Sequence, residues 1–238
     1  VHIYKVESPL KDKLESLGRL LCSLGETSTI VFLNYRDSVE RTNNYLVEQG
    51  FSTSFYHGGL EQKEREASLY RFSNGSANIL VSTDLASRGL DIPDIDNIIH
   101  YHIPESEDGY IHRVGRTARW EAQGRAFFLL GPEEHIPEYV DAAVEDYEIP
   151  AVEELPAPAK PKMATLYIGK GKKDKISKGD ILGFLCKKGG LNSSEIGKID
   201  VNDRYAYAAI ARPKLKSVLN NVKGEKIKGV KTIVEEVR

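Results

Sequence analysis

Residues 112–119 read His-Arg-Val-Gly-Arg-Thr-Ala-Arg, with arginines at i, i+3 and i+6: Arg113, Arg116 and Arg119. A guanidinium stays cationic at every working pH and presents its N–H groups as a planar fork. Three at this spacing suit the oxygens of a triphosphate, which each fork grips bidentately. The spacing places them along one side of a loop-to-helix segment. Gly115 between them lets the backbone come close, and His112 at the head can relay contact to a neighbouring domain. A solvated helix face would also carry arginines but would intersperse carboxylates, and none occurs before Glu121.

A second segment, residues 80–93, reads Leu-Val-Ser-Thr-Asp-Leu-Ala-Ser-Arg-Gly-Leu-Asp-Ile-Pro. The apolar run Ile79-Leu80-Val81 predicts a buried strand. Ser82, Thr83 and Asp84 follow at its carboxyl end, where open α/β sheets hold their ligands. Thr83 or Asp84 is also placed to cap a short helix. Asp91, after the flexible Arg88-Gly89 pair, can face the same crevice as the arginines.

The elements that must position these groups are legible in outline. Helical periodicity covers about 10–24, 36–49 and 61–72, with apolar strands near 29–33, 51–56, 78–82, 95–101 and 125–130. This alternation predicts a parallel sheet with helices on both faces.

Residues 80–93 and 112–119 resemble motifs V and VI of the DEAD-box RNA helicases, and three further segments fall in that family's order. Thr29-Ile-Val-Phe-Leu-Asn34 resembles motif IV. Tyr56-His-Gly-Gly-Leu60 followed by Gln62 and Arg65 resembles the His-Gly element and the Gln-x-x-Arg of motif IVa. His-Arg rather than Gln-Arg at 112–113 is similar to the DEAD-box branch over the DEAH-like one. Ala118 departs from the family's usual Gly. The resemblance implies a RecA-like lobe over residues 1–148 that completes an ATP site. Arg116 and Arg119 would be arginine fingers on the γ-phosphate, Gly89 and Asp91 would meet the nucleotide, with Asp91 on its ribose, and His112 would reach across to the family's DEAD sequence. Arg113 would either join the fingers or pair within the lobe. RNA would lie along Asn34, Arg36, His57, Gly58, Gln62, Arg65, Thr83 and Gly89, groups that grip phosphates without reading bases. His57 reads equally well as a loop histidine.

The chain contains neither a G-x-x-x-x-G-K-[S/T] loop nor an Asp-Glu-Ala-Asp sequence, and Gly169-Lys-Gly-Lys-Lys173 lacks both the spacing and the hydroxyl of the former. In the DEAD-box family those elements lie in an amino-terminal RecA-like domain, which would hold most of the ATP and its Mg2+. The sequence opens at Val1 and its single Met is Met163, so a fragment, inactive alone in ATP hydrolysis, is expected.

Charge separates the chain into two parts. Residues 163–238 hold 17 of the 33 Lys+Arg but only 8 of the 35 Asp+Glu, a net of +9 that leaves −11 on residues 1–162. An acidic body with a basic nucleic-acid-binding appendage is the implied arrangement. Between them, proline-rich residues 149–162 read as a semi-rigid linker. The two cysteines, Cys22 and Cys186, fall in different parts, so no disulfide scaffold or zinc site follows and no metal site is expected. No apolar run is long enough for a membrane span, and the expected location is the cytoplasm.

The basic part reads as strand 165–169, helix 178–188, strands 196–201 and 205–211, helix 213–222 and strand 230–237. That βαββαβ order is that of an RRM. Tyr167, Tyr205 and Tyr207 occupy places where RRM aromatics stack bases, although Arg204-Tyr-Ala-Tyr-Ala-Ala-Ile is a weak match to the RNP1 pattern. Tyr205 and Tyr207 share a face that is either solvent or core. Lys170, Lys172, Lys173 and Lys175 cluster after the first strand as phosphate contacts or as a solvated loop. With Ile196–Asp200 and Lys226–Gly229, this cluster resembles the carboxyl-terminal RNA-binding domain of DbpA-type helicases. The resemblance implies recognition of a large-subunit ribosomal RNA hairpin, a pre-ribosomal particle as partner, and work as a monomer. The competing readings are a non-catalytic RNA-binding protein or chaperone with a vestigial lobe, and a DNA helicase lobe.

Overall fold

The computed structural model describes residues 1–88, 90, 92, 94–117 and 124–238. Gly89, Asp91 and Arg119, three of the residues singled out above, lie outside them. Two compact units are present: Val1–Phe72 with Asn78–Lys160, and Pro161–Arg238 with Ser73–Ala77. The change from one to the other at 160–161 falls within the proline-rich segment, which contains one 3-10 turn at Val152–Glu154.

The first unit is built on β1 (His2–Glu7), α1 (Leu14–Leu24), β2 (Thr29–Phe32), α2 (Arg36–Glu48), β3 (Thr53–Tyr56), α3 (Gln62–Ser73), β4 (Ile79–Ser82), β5 (Asn97–His100), α4 (Glu107–Val114), β6 (Arg125–Leu130) and β7 (Val144–Asp146). The seven strands form one sheet in the order β3-β4-β2-β5-β6-β1-β7, and every pairing is parallel. Strand side chains alternate between faces, so Val31, Val81, Ile99 and Phe127 meet α1 and α2 on one side. Ile30, Phe32, Leu80, Ile98 and Ala126 meet Leu69 and Phe72 of α3 and Val114 of α4 on the other. Both faces are thus covered, as the near-continuous apolar runs in β2, β4 and β5 require.

Four elements depart from the sequence reading. The last two strands in the sheet order, β1 and the edge strand β7, were not legible, because Lys5, Glu7, Glu145 and Asp146 break their apolar pattern. The first helix begins at Leu14 rather than near residue 10. In the motif VI segment the helix comes first: α4 is capped by Ser106, whose side chain accepts from the Gly109 N–H at 3.0 Å, and it ends at Val114. Gly115 and Arg116 therefore lie in the turn after a helix, not in a loop leading into one.

The second unit contains β8 (Met163–Ile168), α5 (Lys178–Lys187), β9 (Ile196–Val201), β10 (Ala206–Ala211), α6 (Leu215–Asn221), β11 (Lys226–Ile227), β12 (Val230–Lys231) and β13 (Val234–Val237). An antiparallel sheet in the order β13-β8-β10-β9 carries the RRM-like topology. The strand expected over 230–237 is divided: Val230–Lys231 turns back on Lys226–Ile227 as a hairpin, and Val234–Val237 alone joins the sheet. Lys228 (φ 50°) and Gly229 (φ 75°) at its two-residue turn both adopt the left-handed backbone that a tight hairpin needs. Ile181, Phe184, Leu185 and Val218 of the helices bury Leu166, Ile168, Ala208 and Ile210 on one sheet face. Among the described residues, no helix is long and apolar enough to cross a membrane.

Candidate nucleotide and nucleic-acid interfaces

At the carboxyl edge of the parallel sheet, Arg113 points inward. Its side chain is fully buried. Nε donates to Asp84 Oδ1 at 2.5 Å and Nη2 to Asp84 Oδ2 at 3.1 Å, a bidentate pair. Nη2 also donates to Asn34 Oδ1 at 2.7 Å and Nη1 to the His102 carbonyl at 2.8 Å. The guanidinium carbon lies 5.2 Å from the centre of the Phe32 ring. One cation therefore ties together the ends of β2, β4 and β5 with α4. Of the three arginines, Arg113 pairs within the lobe, Arg116 lies in the turn beyond α4, and Arg119 is outside the described residues. Such a buried ion costs several kcal/mol to desolvate and persists only when fully satisfied.

His100 completes the shell with Nδ1 3.3 Å from Arg113 Nη1. Burial, and then the Arg113 charge, hold its pKa well below the ordinary value, so it stays neutral and accepts. His102 accepts a hydrogen bond at Nδ1 from the Asn34 N–H at 2.9 Å. Its pKa is pushed down to about 4, chiefly by burial, then by Lys13 and with a smaller push from Arg113, against the opposing pull of Glu134. Lys13 is itself buried, and its ammonium donates to the carbonyls of Tyr101 and Leu129 and to Glu134 Oε1 at 2.8 Å. Neither histidine nor Lys13 was singled out from the sequence. The signal available was His-x-His at the end of a buried strand, which reads equally well as core.

Arg116 is half-buried, with Nη1 donating to the Leu90 carbonyl at 3.2 Å. His112 is partly exposed near Asp108, at 3.4 Å, and Asp108 also pairs with Arg88. Thr83 caps the 3-10 turn Asp84–Ser87 by accepting from the Leu85 N–H at 3.4 Å, the capping role weighed for this pair, while Asp84 binds Arg113.

The expected RNA-facing groups share the same edge. Asn34 is held from three sides, through Arg113, His102 and its own Nδ2 donating to the Ile103 carbonyl at 3.1 Å. Arg36 is exposed at the start of α2, and a Cβ at Gly58 would lie 2.8 Å from its Nη2, so only glycine lets that guanidinium rest there. His57 is 5% exposed, with Nε2 3.2 Å from Glu40 and Nδ1 accepting from the Gly59 N–H at 3.0 Å. It shapes the Gly58-Gly59 turn from beneath. Gln62 and Arg65 open α3, joined by a 3.1 Å hydrogen bond.

In the second unit, Tyr167, Tyr205 and Tyr207 gather on the sheet face opposite the helices, because Leu166, Ile168, Ala206 and Ala208 take the core face. Tyr167 and Tyr205 stack with centroids 5.8 Å apart, and Tyr207 meets both edge-on at 6.0 and 5.4 Å. The pair divides between the two alternatives: Tyr205 is half-buried on this outward face, whereas Tyr207 is buried at 3% exposure. Lys172 and Lys173 lie in a 3-10 turn with exposed side chains, Lys175 follows with φ 61°, and Lys170 is half-buried. The Lys172 and Lys173 N–H groups donate to the Asn202 and Asp203 carbonyls, each at 2.9 Å, which fixes the lysine loop to the β9–β10 turn beside exposed Arg204. A Cβ at Gly171 would sit 2.1 Å from the Asn202 oxygen, so this seam requires glycine. Among the described residues, no group of three His, Cys, Asp or Glu side chains could hold a metal ion.

A RecA-like lobe with a buried arginine tying three motifs at its sheet edge, followed by an RRM-like unit, defines a helicase carboxyl-terminal region with an RNA-binding appendage. Residues 12–121 match the helicase conserved C-terminal domain and residues 165–236 the DbpA RNA binding domain. The chain is 36% identical over 228 residues to the ATP-dependent RNA helicase DbpA of Escherichia coli, covering 94% of this chain and 50% of that protein. It is 30% identical over 246 residues to the Bacillus subtilis DbpA, covering 92% and 51%. The solved E. coli DEAD-box protein SrmB, bound to the regulator of ribonuclease activity A, superposes with a TM-score of 0.56 at 30% identity, over 67% of this chain and 98% of that one. The chain belongs to the DEAD-box helicase family and carries its carboxyl-terminal helicase domain and a DbpA-type RNA-binding domain. It spans about half the length of the DbpA relatives it matches.

Proposed function

We propose that this chain is the half of an ATP-dependent RNA helicase that completes the nucleotide site and anchors the enzyme to ribosomal RNA. The observation that carries the reading is the Arg113 network. It fixes the motif IV, V and VI segments against one another, and Arg116 follows in the turn directly after the helix that carries Arg113. A neighbouring RecA-like domain would hold most of the ATP and the Mg2+, whose role is to neutralise the phosphate oxygens. On this side Arg116 and Arg119 would stabilise charge on the γ-phosphate, Asp91 with Gly89 would meet the nucleoside, and His112 would contact the opposing domain.

RNA would follow the edge marked by Asn34, Arg36, Gly58, Gln62, Arg65, Thr83 and Gly89, with His57 supporting the turn. Closure on ATP would bend one strand and separate a short duplex. In the second unit, Lys170, Lys172, Lys173, Lys175 and Arg204 would hold phosphates, and Tyr167, Tyr205 and Tyr207 would offer a stacking face. The target would be a large-subunit ribosomal RNA hairpin within a pre-ribosomal particle in the cytoplasm. The enzyme would act as a monomer, and this chain alone would not hydrolyse ATP.

Two measurements test the reading. With an amino-terminal RecA-like domain supplied in trans, RNA-stimulated ATP turnover that disappears in Arg119→Ala is expected. Turnover indifferent to Arg119 would instead leave a non-catalytic RNA chaperone. Titration of the whole chain against the ribosomal hairpin and a loop-scrambled hairpin at several salt concentrations tests the tether. Preference for the first that survives raised salt is expected, whereas equal, steeply salt-dependent binding would reduce the appendage to non-specific affinity.

A further inference from the structure

We propose that Tyr35 is a stacking platform for one unpaired base of the RNA strand, an element of base contact on a lobe edge whose other groups suit only phosphates. This rests on the reading that RNA follows the Asn34–Arg65 edge.

Tyr35 is 60% exposed, and among the described residues it stands out as the aromatic in a set of exposed large apolar side chains that is otherwise aliphatic. It occupies the cap position of α2 in an extended conformation (φ −130°, ψ 143°), yet its side chain makes no capping hydrogen bond. Ser, Thr, Asp or Asn at such a position typically stabilise a helix through an N–H that Tyr leaves unmet. A residue that breaks a local rule without an evident structural gain is expected at functional sites.

The ring is mounted rigidly. Its preceding residue, Asn34, is clamped by Arg113, by the Ile103 carbonyl and by His102 Nδ1. The His102 ring also meets Tyr35 edge-on, with centroids 5.6 Å apart at 64°. That contact is T-shaped, and at 60% exposure most of the Tyr35 surface stays open to solvent. The following residue, Arg36, carries the guanidinium that rests at Gly58. A phosphate gripped at Arg36 and a base on the adjoining aromatic are the two halves of one nucleotide site, the combination by which proteins hold single strands with little sequence preference.

Photocrosslinking tests the platform on the whole chain. The probes are single-stranded oligoribonucleotides carrying 5-iodouridine at successive positions, with the crosslinked residues mapped by mass spectrometry. Tyr35 is expected to crosslink in the wild-type chain. Tyr35→Phe should retain the crosslink at residue 35, and Tyr35→Leu should lower lobe crosslinking about tenfold, the typical worth of one stacked base. Arg36→Gln and Arg65→Gln provide the separate arm. If those two variants lower crosslinking to residues 1–148 while Tyr35 never crosslinks and Tyr35→Leu matches wild type, the platform is overturned and the RNA path stands. If no crosslink falls within residues 1–148 in any variant, both are overturned.

Discussion

The two units use positive charge in opposite ways. In the lobe, Arg113 is entirely buried and spends its donors on Asp84, Asn34 and a carbonyl, so the charge sets geometry. In the RRM-like unit, Lys172, Lys173 and Lys175 are exposed on a loop that is fixed through its backbone, leaving the ammonium groups to the solvent side. A guanidinium suits the first role because its planar fork satisfies several acceptors at once. An ammonium on a flexible stem suits the second because it can follow a phosphate wherever it lies.

That contrast can be broken in four places. The largest effect is expected at Arg116: in the trans-complemented assay, Arg116→Ala should lower ATP turnover by about 10³–10⁵-fold. Its unfolding midpoint should stay close to wild type, since Arg116 lies outside the buried Asp84–Arg113–Asn34 network. Arg113→Met should show the reverse balance, a stability loss of about 1–3 kcal/mol in denaturant unfolding, because Asn34 Oδ1 and the His102 carbonyl lose their donor while the half-exposed Asp84 is left to water. An unfolding curve unchanged from wild type would end the claim that this arginine frames the lobe.

Proton linkage at His102 gives the third test. Its folded pKa of about 4 lies below the ordinary 6.5, so the unfolded chain binds the proton more readily between those values. Stability from this residue is therefore fully present above about pH 6.5 and is lost as pH falls towards 4. The loss should be about 1–2 kcal/mol once solvent screening of the half-exposed ring is allowed for. His102→Asn, which keeps an acceptor but cannot titrate, should flatten the pH–stability profile over that interval, and an unaltered profile would assign the titration elsewhere. The smallest effect belongs to the appendage. Lys172→Ala should weaken RNA binding a few-fold and reduce the slope of log affinity against log salt by about 0.7–0.9, one phosphate contact, with no change in stability.

Legibility followed the physics of each element. Strands β2, β4 and β5 are buried on both faces, so their apolar runs stood out, whereas β1 and the edge strand β7 carry charges within their short spans and did not. The strand expected over 230–237 looked continuous because Thr232-Ile233, where it divides, are themselves strand-favouring residues. Tyr205 and Tyr207 were placed on a common face by strand alternation, but which face required knowing where α5 and α6 pack.

The sequence by itself determined the class of protein, because ordered short motifs and a charge step from −11 to +9 are local quantities readable along the chain. Tertiary structure alone decided which arginine frames the site and which leaves it. Arg113 and Arg116 differ by three positions in one motif, and only the positions of Asp84, Asn34 and His102, brought from distant strands, give one of them a buried set of acceptors. Burial and partner geometry arise from contacts remote in sequence, and no local pattern encodes them.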